Sequence, residues 1–570
     1  MFKWNEYQNL QKYSTPPHQL RHAHIVQMLS ELQAIRPEAM ELSTLGESYE
    51  GRSILCATIG TGSNRVLAWS QMHGNEPTHT AALLDLIGFL QRDPDHKTAQ
   101  AILEGSTLSL VLMLNPDGAE RYQRRNAQDL DINRDALHLA SPEGRILHDL
   151  VESLHPQFAL NLHNQNPRTA VDYDGLKPAA VSLLVPPIDA ADSQTEGTQQ
   201  AKRLASVFLS AVQPHCEGMI SRYDADYMPR CFGEWVQQQG SATLTVEAGG
   251  WTSIDSSPLV RLHFMGLIHV LEAIATNRFL DADPADYDQL PRSSEHYLFD
   301  LMINKVRVVN GDLANSFVAD LGINVSGVGP CSSGAGGTIE DMGDLHVTTG
   351  KTNIAGDGLL CLPGRIAYLP HITPSRLPTP KEVEKCLRVG VTTLIGRVDY
   401  ASDDELIALE QLSDSQELTI NLGFIAAQST RSVPGRQMDS LSSAILQGVL
   451  GMLSDAIPDP TRNTLGSLNF RLFYEHQLPG DLDTLIPIDV YSKQLEYVAD
   501  FLGLTGRGQI QLGTPADLLL LRTPATHGNQ TTIDWNDLQQ VIVAGRVVFD
   551  GEKCLNERAG KLLKGSAFRN

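Results

Sequence analysis

Residues 65–90 read RVLAWSQMHGNEPTHTAALLDLIGFL, and this stretch decides the fold of the first half of the chain. Residues 65–71 form a short apolar run typical of a buried strand, and the His73-Gly74-Asn75-Glu76 segment indicates a loop after it. Pro77 then precedes an apolar-periodic segment at 80–90, and proline in this position favours the opening of a helix. The stretch therefore predicts one strand–loop–helix unit of an α/β fold.

Further apolar segments of the first half continue this alternation of strand and helix. The run TLSLVLML at 107–114 predicts a strand that Asn115-Pro116-Asp117-Gly118 ends in a turn. Other predicted strands cover 158–162 and 242–246, and helical patterns cover 143–154, 201–212 and 259–275. Nearly continuous apolar strands between helices predict a mixed, mostly parallel sheet flanked by helices.

A polar segment with two prolines separates this half from a second one. It lies between 281 and 294, so we place a first domain at 1–290 and a second at 291–570. Strand patterns follow at 301–309 and 318–325. The glycine-rich run 327–337 predicts a flexible hairpin connection, because it lacks the Lys-Ser/Thr ending and the helix of a phosphate-binding loop.

The composition is globular and acidic. Of 570 residues, 42% are hydrophobic and 19% are charged, which excludes disordered, collagen-like and coiled-coil chains. The net charge of −23 argues against nucleic acid and anionic membranes as partners. The first twenty residues lack the apolar core of a secretory signal, and seven cysteines without a C-x-x-C pair fit reduced thiols. We therefore expect a cytoplasmic protein without a membrane span.

Four polar residues follow predicted strands at their carboxyl ends. His73 and Glu76 follow the first strand, His163 ends the third and Glu247 ends the fourth. Because the carboxyl ends of parallel strands meet at one edge of an open sheet, we expect these side chains to converge. Two imidazoles and one carboxylate are the protein ligands of a catalytic zinc, so we predict one Zn²⁺ per chain on the first three residues. We predict Glu247 as the general base.

The order of these motifs resembles that of the M14 zinc carboxypeptidase family over roughly residues 40–280. H-x-x-E comes first, then Asn-Pro-Asp-Gly and Arg-Arg-Asn, then Asp131-Ile132-Asn133-Arg134, and finally the strands that end in histidine and glutamate. The resemblance implies the same roles for His73, Glu76, His163 and Glu247. It also implies cleavage of an amide bond adjacent to a free carboxylate.

The resemblance implies a substrate-binding set as well. Asn133 and Arg134 would bind the terminal carboxylate of the substrate, since a planar guanidinium grips a carboxylate with two parallel hydrogen bonds. The phenolic hydroxyl that the family places in its site corresponds to either Tyr223 or Tyr227.

Two further roles follow from the resemblance. Arg124 would stabilise the developing oxyanion, although the neighbouring Arg125 aligns there equally well. Asp131 would orient a zinc-binding imidazole. The chain departs from many relatives at Asn161 and Asn164, where they carry acidic residues, and both changes remove negative charge near the metal.

The second half resembles amidohydrolase-superfamily chains at its two ends. The segments at 301–309, 358–364 and 385–394 look like the opening of such a chain, and those at 513–520 and 541–551 look like its closing strands. The resemblance implies a β-sandwich built from strands at about 300–362 and 505–551, with a truncated α/β barrel between them. His371 is the one histidine left where the superfamily has His-x-His, because Leu369 stands in the other position. We therefore predict a degenerate, metal-free domain with a structural, regulatory or oligomer-forming role.

The whole sequence predicts a zinc hydrolase of carboxypeptidase type acting on small peptides. Three alternatives stay open at this point. They are a zinc-dependent deacylase of N-acyl amino acids, amidohydrolase activity in the second half, and a non-catalytic scaffold protein. Sequence alone does not reveal how the pocket treats the groups that flank the scissile bond, and a fold does not fix a substrate.

Overall fold

The computed structural model divides the chain into two compact units, unit 1 at Met1–Leu298 and unit 2 at Phe299–Gly327 and Gly334–Asn570. The structure describes residues 2–10, 15–171, 177–223, 226–251, 257–310, 313–325, 337–343, 345, 350–400, 402–413, 418–427, 449–450, 452–453, 472–473, 488–502, 504, 506–512, 514–522, 533–555, 559 and 562–563. The glycine-rich run at 327–337 lies outside these residues up to position 336.

Unit 1 alternates strands and helices along most of its length. Its strands are β1 (Met40–Glu47), β2 (Ser53–Ile59), β3 (Asn64–Ser70), β4 (Ser106–Val111), β5 (Phe158–Asn164), β6 (Thr169–Val171), β7 (Val181–Leu184), β8 (Ile220–Arg222), β9 (Ala242–Ala248) and β10 (Ser293–Tyr297). Its helices are α1 (His22–Ile35), α2 (Thr78–Arg92), α3 (Lys97–Gly105), α4 (Pro116–Glu120), α5 (Pro142–Leu154), α6 (Glu196–Val212), α7 (Phe232–Gln238), α8 (Ser257–Ala275) and α9 (Ala285–Asp288).

The main sheet of unit 1 has a parallel centre and mixed edges. Its strand order is β1-β2-β4-β3-β5-β9-β7-β8, and β10 pairs with β6 in a separate ribbon. The central strands β4, β3, β5 and β9 are parallel, whereas β1, β2 and β7 join them antiparallel to a neighbour. The prediction of a mixed α/β sheet flanked by helices is confirmed.

Residues of the central strands alternate between two hydrophobic clusters, as the period of two in a strand requires. On β3, Val66 and Ala68 belong to the cluster that contains α2, α6 and α8 residues, while Leu67 and Trp69 belong to the cluster that contains α5 and α7 residues. The sheet is thus covered on both faces. On β5, the same alternation places Asn161 and His163 on the face covered by α5 and α7.

The predicted strands and helices of unit 1 are present, with two local differences. Asn115-Pro116-Asp117-Gly118 is more than a turn, because Asn115 caps α4 and its Oδ1 accepts a hydrogen bond from the Gly118 amide at 2.8 Å. The strands outside the four central ones were not predicted, namely β1, β2, β6, β7, β8 and β10. On β1 only the first residue is buried, so the strand has no continuous apolar run.

Unit 2 contains two sheets. Its strands are β11 (Phe299–Val308), β12 (Phe317–Val325), β13 (Gly337–Gly343), β14 (Gly350–Ala355), β15 (Leu359–Pro363), β16 (Arg365–Tyr368), β17 (Val391–Asp399), β18 (Asn421–Ala427), β19 (Met452–Leu453), β20 (Leu472–Phe473), β21 (Leu518–Arg522), β22 (Leu538–Val543), β23 (Arg546–Phe549) and β24 (Leu562–Leu563). Its helices are α10 (Pro380–Arg388), α11 (Asp403–Ser413) and α12 (Ile488–Leu502). One sheet has the order β13-β12-β11-β15-β21-β22-β23, with β14 beside β11, and the other runs β16-β17-β18-β19-β20, with β24 beside β18. The β-sandwich and the truncated barrel stay predictions.

Helix α8 is apolar enough to deserve comparison with a membrane span. Within the described residues, Pro258–Ala275 is the one helical segment that is long and apolar enough to cross a membrane. However, 78% of this segment is buried inside the protein. Such burial is typical of a core helix, and α8 supplies Leu262, Phe264 and Ile268 to the main cluster of unit 1.

Candidate metal centre and carboxylate anchor

The loop after β3 is held against the loop after β4 by close backbone contact. A Cβ atom on Gly74 would lie 2.0 Å from the Gly118 carbonyl carbon, so only glycine allows this approach. Asn115 Nδ2 donates to the Met72 carbonyl at 3.2 Å. The Glu76 amide donates to the His73 carbonyl at 3.1 Å, which turns both side chains of the loop towards the strand ends.

Three predicted ligands converge at the carboxyl ends of β3 and β5. His73 Nδ1 lies 2.8 Å from Glu76 Oε1, and His163 Nδ1 lies 2.8 Å from Glu76 Oε2. The two Nδ1 atoms are 3.2 Å apart. All three side chains are buried, and within the described residues they form the one group of three or more potential ligands.

The hydrogen bonds around His73 show that this group suits a metal ion. His73 Nε2 lies 3.0 Å from Asp131 Oδ1, so Nε2 carries the proton and Nδ1 of a neutral ring presents a lone pair. That lone pair faces a carboxylate oxygen of Glu76 and Nδ1 of His163. Donor atoms this close to one another require a positive charge among them, which either a proton on Nδ1 or a metal ion supplies. Two nitrogens and a carboxylate are the donor set of a catalytic zinc with an open position.

The electrostatics of the group also favour a cation. Burial lowers the pKa of His73, but the charge of Glu76 and the hydrogen bonds to Asp131 and Glu76 outweigh it and raise the pKa to about 9. Burial acts to raise the pKa of Glu76 and Asp131, yet the neighbouring imidazoles hold both pKa values well below their usual range. The raised pKa of His73 and the lowered pKa values of the two carboxylates both show that the group stabilises a positive charge, which a bound metal ion would supply in place of a proton.

Glu247 lies beside this group on the adjacent strand. The register pairs it directly with His163, since β5 and β9 are parallel neighbours. Its Oε2 is buried and has no hydrogen-bond partner among the described residues. Burial, opposed by the charge of His163, raises the pKa of Glu247 to about 7. A carboxylate with this pKa is suited to accept and return a proton near neutral pH.

The structure separates the two neighbouring arginines. Arg124 Nη1 lies 3.3 Å from Glu76 Oε1, and Arg124 Nη2 lies 3.1 Å from Asp131 Oδ2. Arg125 instead donates to the Asp129 carbonyl at 2.8 Å. The guanidinium beside the ligand group is therefore that of Arg124, and it is almost half exposed.

Asn133 and Arg134 are joined to the same group through Asp131. Asp131 Oδ1, which lies within hydrogen-bond distance of His73 Nε2, also accepts a hydrogen bond from the Asn133 backbone amide at 3.0 Å. Asn133 Oδ1 accepts the amide of Phe232 at 3.0 Å, and Arg134 Nη1 contacts Cys231 Sγ at 3.1 Å. A cationic and an amide side chain therefore lie between the ligand loop and the start of α7.

Tyr223 and Tyr227 both stay candidates for the residue that supplies a phenolic hydroxyl to the site. Tyr223 follows β8, where its amide donates to the Leu183 carbonyl at 3.0 Å, and its side chain is 38% exposed. The Tyr227 hydroxyl accepts a hydrogen bond from Gln238 Nε2 at 2.7 Å, so the Tyr227 side chain contacts the last residue of α7.

Sequence reasoning missed two residues at the start of α7. Cys231 contacts the predicted anchor Arg134 across 97 positions of sequence. Glu234 is buried, and burial raises its pKa to about 7. Helix α7 has seven residues, which is too short for a clear helical period, and neither residue belongs to a motif. The departures at Asn161 and Asn164 lie beside the group, where the Asn164 amide donates to Glu76 Oε2 at 3.1 Å.

Comparison with known proteins identifies the class of the first unit. A family model described as zinc carboxypeptidase matches residues 25–226. Carboxypeptidase 2 of Trichophyton rubrum is 34% identical over 103 residues, which are 18% of this chain and 19% of that protein. The protein of the same name from Trichophyton tonsurans is 33% identical over 103 residues, again 19% of its length. The chain thus matches about a fifth of the length of these curated relatives.

Solved carboxypeptidase structures also show similarity to part of this chain. A metallo-carboxypeptidase from Burkholderia cenocepacia is 18% identical with a TM-score of 0.37, over 45% of this chain and 69% of that one. The carboxypeptidase A of Helicoverpa armigera is 16% identical with a TM-score of 0.37, over 50% of this chain and 81% of that one. Residues 25–226 therefore match the zinc carboxypeptidase family, which is a class of metallopeptidases. Glu247 lies beyond the matched residues, so its place beside the ligands comes from the structure.

Proposed function

We propose that the chain is a zinc-dependent carboxypeptidase that hydrolyses the amide bond next to the free carboxylate of a small peptide. The observation that carries this proposal is the convergence of His73 Nδ1, His163 Nδ1 and the Glu76 carboxylate within 3.2 Å of one another. A zinc ion bound there polarises a carbonyl group and lowers the pKa of a water molecule towards roughly 7.

Glu247 and Arg124 handle the proton and the developing charge. The Glu247 carboxylate accepts a proton from the attacking water and returns it to the leaving amine nitrogen. Its buried Oε2 has no hydrogen-bond donor among the described residues, so this oxygen is available to take up the proton. The half-exposed guanidinium of Arg124 lies beside Glu76 and supplies donors to the oxyanion.

Asn133 and Arg134 give the reaction its carboxyl-terminal preference. A guanidinium and an amide offer parallel N–H donors that fit the two oxygens of a carboxylate. Asp131 fixes their position relative to the ligands, because one of its oxygens contacts both His73 and the Asn133 amide. An N-acyl amino acid also presents an amide bond next to a carboxylate, so deacylation is the second candidate reaction.

The proposal is tested with purified, zinc-loaded full-length chain. The substrates are small peptides with a free carboxyl terminus, their carboxyl-amidated counterparts and N-acyl amino acids. We expect hydrolysis of the free peptides, abolition by a chelator and restoration by zinc. Glu247→Gln is expected to keep its zinc and to lose at least about a hundredfold in kcat, as general-base catalysis supplies 10²–10⁴-fold. Hydrolysis of N-acyl amino acids alone would establish the deacylase, and hydrolysis that survives in Glu247→Gln would contradict the assignment.

For unit 2 we propose a degenerate, metal-free amidohydrolase-like domain that forms oligomers or supports unit 1, and for the whole protein a cytoplasmic location. The His371 side chain is half exposed, and its Nε2 lies 3.2 Å from Glu382 Oε1. This is the arrangement of an ion pair at the protein surface. The described cysteines are free thiols, as expected of a reducing compartment. Light scattering on the full chain tests the oligomer, and a monomer would contradict that role.

A further inference from the structure

Among the residues that the structure describes, the guanidinium of Arg134 donates hydrogen bonds through one nitrogen, Nη1. Nη1 donates to the Asn133 carbonyl at 2.7 Å and to Cys231 Sγ at 3.1 Å. Nη1 carries two hydrogens, so both are occupied. Within the described part of the chain, the hydrogens of Nη2 and Nε have no protein acceptor.

The amide of Asn133 is oriented by the same element. Its Oδ1 accepts the Phe232 amide at 3.0 Å, which leaves the Nδ2 hydrogens as donors to another group. Cys231 precedes α7 and Phe232 is the first residue of that helix, so a single turn of backbone holds both anchor side chains. The turn is packed into unit 1, because Cys231 is only 7% exposed and Phe232 is fully buried.

We propose, building on the carboxypeptidase function above, that Cys231 is a positioning residue that orients Arg134, so that the substrate carboxylate binds across Nε and Nη2. These two nitrogens present parallel N–H bonds on one edge of the guanidinium, which matches the two oxygens of a carboxylate. The edge that contains Nη1 is unavailable because the Asn133 carbonyl and the Cys231 sulfur occupy it. Losing the sulfur leaves Nη1 with the Asn133 carbonyl alone, so the guanidinium can turn about that one hydrogen bond and Arg134 spreads over several orientations.

The effect is expected in substrate binding rather than in the chemical step. Sulfur is a weak acceptor, so its loss is worth about fivefold, or ~1 kcal/mol at 1.4 kcal/mol per tenfold. Cys231→Ala should raise KM for a peptide with a free carboxyl terminus by about fivefold, with kcat within about twofold. Cys231→Ser should restore KM to within about twofold, because the hydroxyl accepts from Nη1. Cys231→Val fills the volume of the thiol without an acceptor and should behave like the alanine variant.

The experiment is steady-state kinetics on the zinc-loaded full chain with matched free and amidated peptides. Cys216→Ala is the control, since it removes another buried thiol of unit 1, whose Sγ donates to the Val212 carbonyl at 3.3 Å. The proposal predicts that the preference for the free peptide shrinks in the alanine and valine variants and not in the serine variant or the control. An unchanged KM, or a loss of kcat that serine fails to rescue, would overturn it.

The same assay distinguishes failure of this inference from failure of the proposed function. If wild type hydrolyses the free peptide and Arg134→Ala raises KM while the Cys231 variants do not, the positioning role alone is wrong. If wild type hydrolyses neither peptide, or Arg134→Ala leaves KM unchanged, the proposed carboxyl-terminal recognition is wrong and this inference falls with it.

Discussion

Replacing Asp131 should weaken zinc binding, although this side chain is not itself one of the three predicted ligands. Asp131 Oδ1 accepts from His73 Nε2 at 3.0 Å, which fixes the ring so that Nδ1 points at Glu76. Its Oδ2 forms an ion pair with Arg124 at 3.1 Å. In Asp131→Ala the imidazole loses its orienting acceptor and the carboxylate that makes it a stronger donor. Loss of such an outer partner typically costs 10–100-fold in metal affinity, or about 1.4–2.8 kcal/mol.

The asparagine variant separates the two roles of this side chain. Asp131→Asn keeps an oxygen for His73 Nε2 and the Asn133 amide but loses the charge that pairs with Arg124. Arg124 is nearly half exposed, so that pair contributes only about 0.2–1 kcal/mol. We therefore expect the zinc affinity of Asp131→Asn to fall by less than about tenfold, between wild type and the alanine variant.

Competition with a chromophoric chelator measures these affinities, with circular dichroism as the check on folding. Asp129→Asn is the matched control, because Asp129 lies in the same loop but pairs with Arg125 at 3.6 Å on the surface. Asparagine also tolerates the positive φ of 58° at that position. An Asp131→Ala variant that is folded and binds zinc within about twofold of wild type would refute the orienting role.

Three further predictions follow from the same contacts. Arg134→Ala should raise KM by at least about tenfold for peptides with a free carboxyl terminus and much less for amidated ones, because it removes a charged bidentate contact; equal effects on both substrates in steady-state assays would contradict the anchor. Burial raises the pKa of Glu234 from about 4.5 to about 7, so the folded protein keeps a proton that the unfolded chain releases at lower pH. The free energy of unfolding should therefore fall as pH rises from about 4.5 to 7, by up to ~3 kcal/mol. Glu234→Gln should reduce the fall measured in urea-unfolding curves and leave the part contributed by Glu247, whose pKa is also raised to about 7, and an unchanged pH dependence would show that Glu234 ionises freely. A truncated chain ending at Leu298 should bind zinc, whereas one ending at Arg292 should be less stable because β10 is lost from its pairing with β6; equal thermal stability of the two would contradict the structural role of β10.

The sequence predicted the centre of unit 1 better than its edges, for a physical reason. Central strands such as β3 and β5 are buried on both faces, so their apolar runs are nearly continuous and easy to recognise. Strand β1 lies at the sheet edge with mixed exposure, so its sequence lacks a strand pattern. The convergence of His73, Glu76 and His163 was predictable because each follows or ends a recognisable strand at the edge where a parallel sheet gathers polar residues, and their role as metal ligands stays a prediction.

The carboxylate anchor was only partly predictable. Asn133 and Arg134 came from a family resemblance, but the contacts that hold them come from Cys231 and Phe232, nearly a hundred positions away. No local pattern encodes a contact of that kind. Arg124 and Arg125 are chemically equivalent neighbours in the sequence, and only the backbone path of their loop decides which guanidinium lies beside Glu76.

The most direct test of the zinc centre is the metal content per chain of the purified full-length protein, measured by elemental mass spectrometry after zinc is supplied. We predict about one zinc per chain in wild type and close to none in His163→Ala, since that variant removes one of three ligands. The same variant should remain folded by circular dichroism. A wild-type protein without zinc, or zinc that stays at one per chain in His163→Ala, would contradict the assignment of His73, Glu76 and His163.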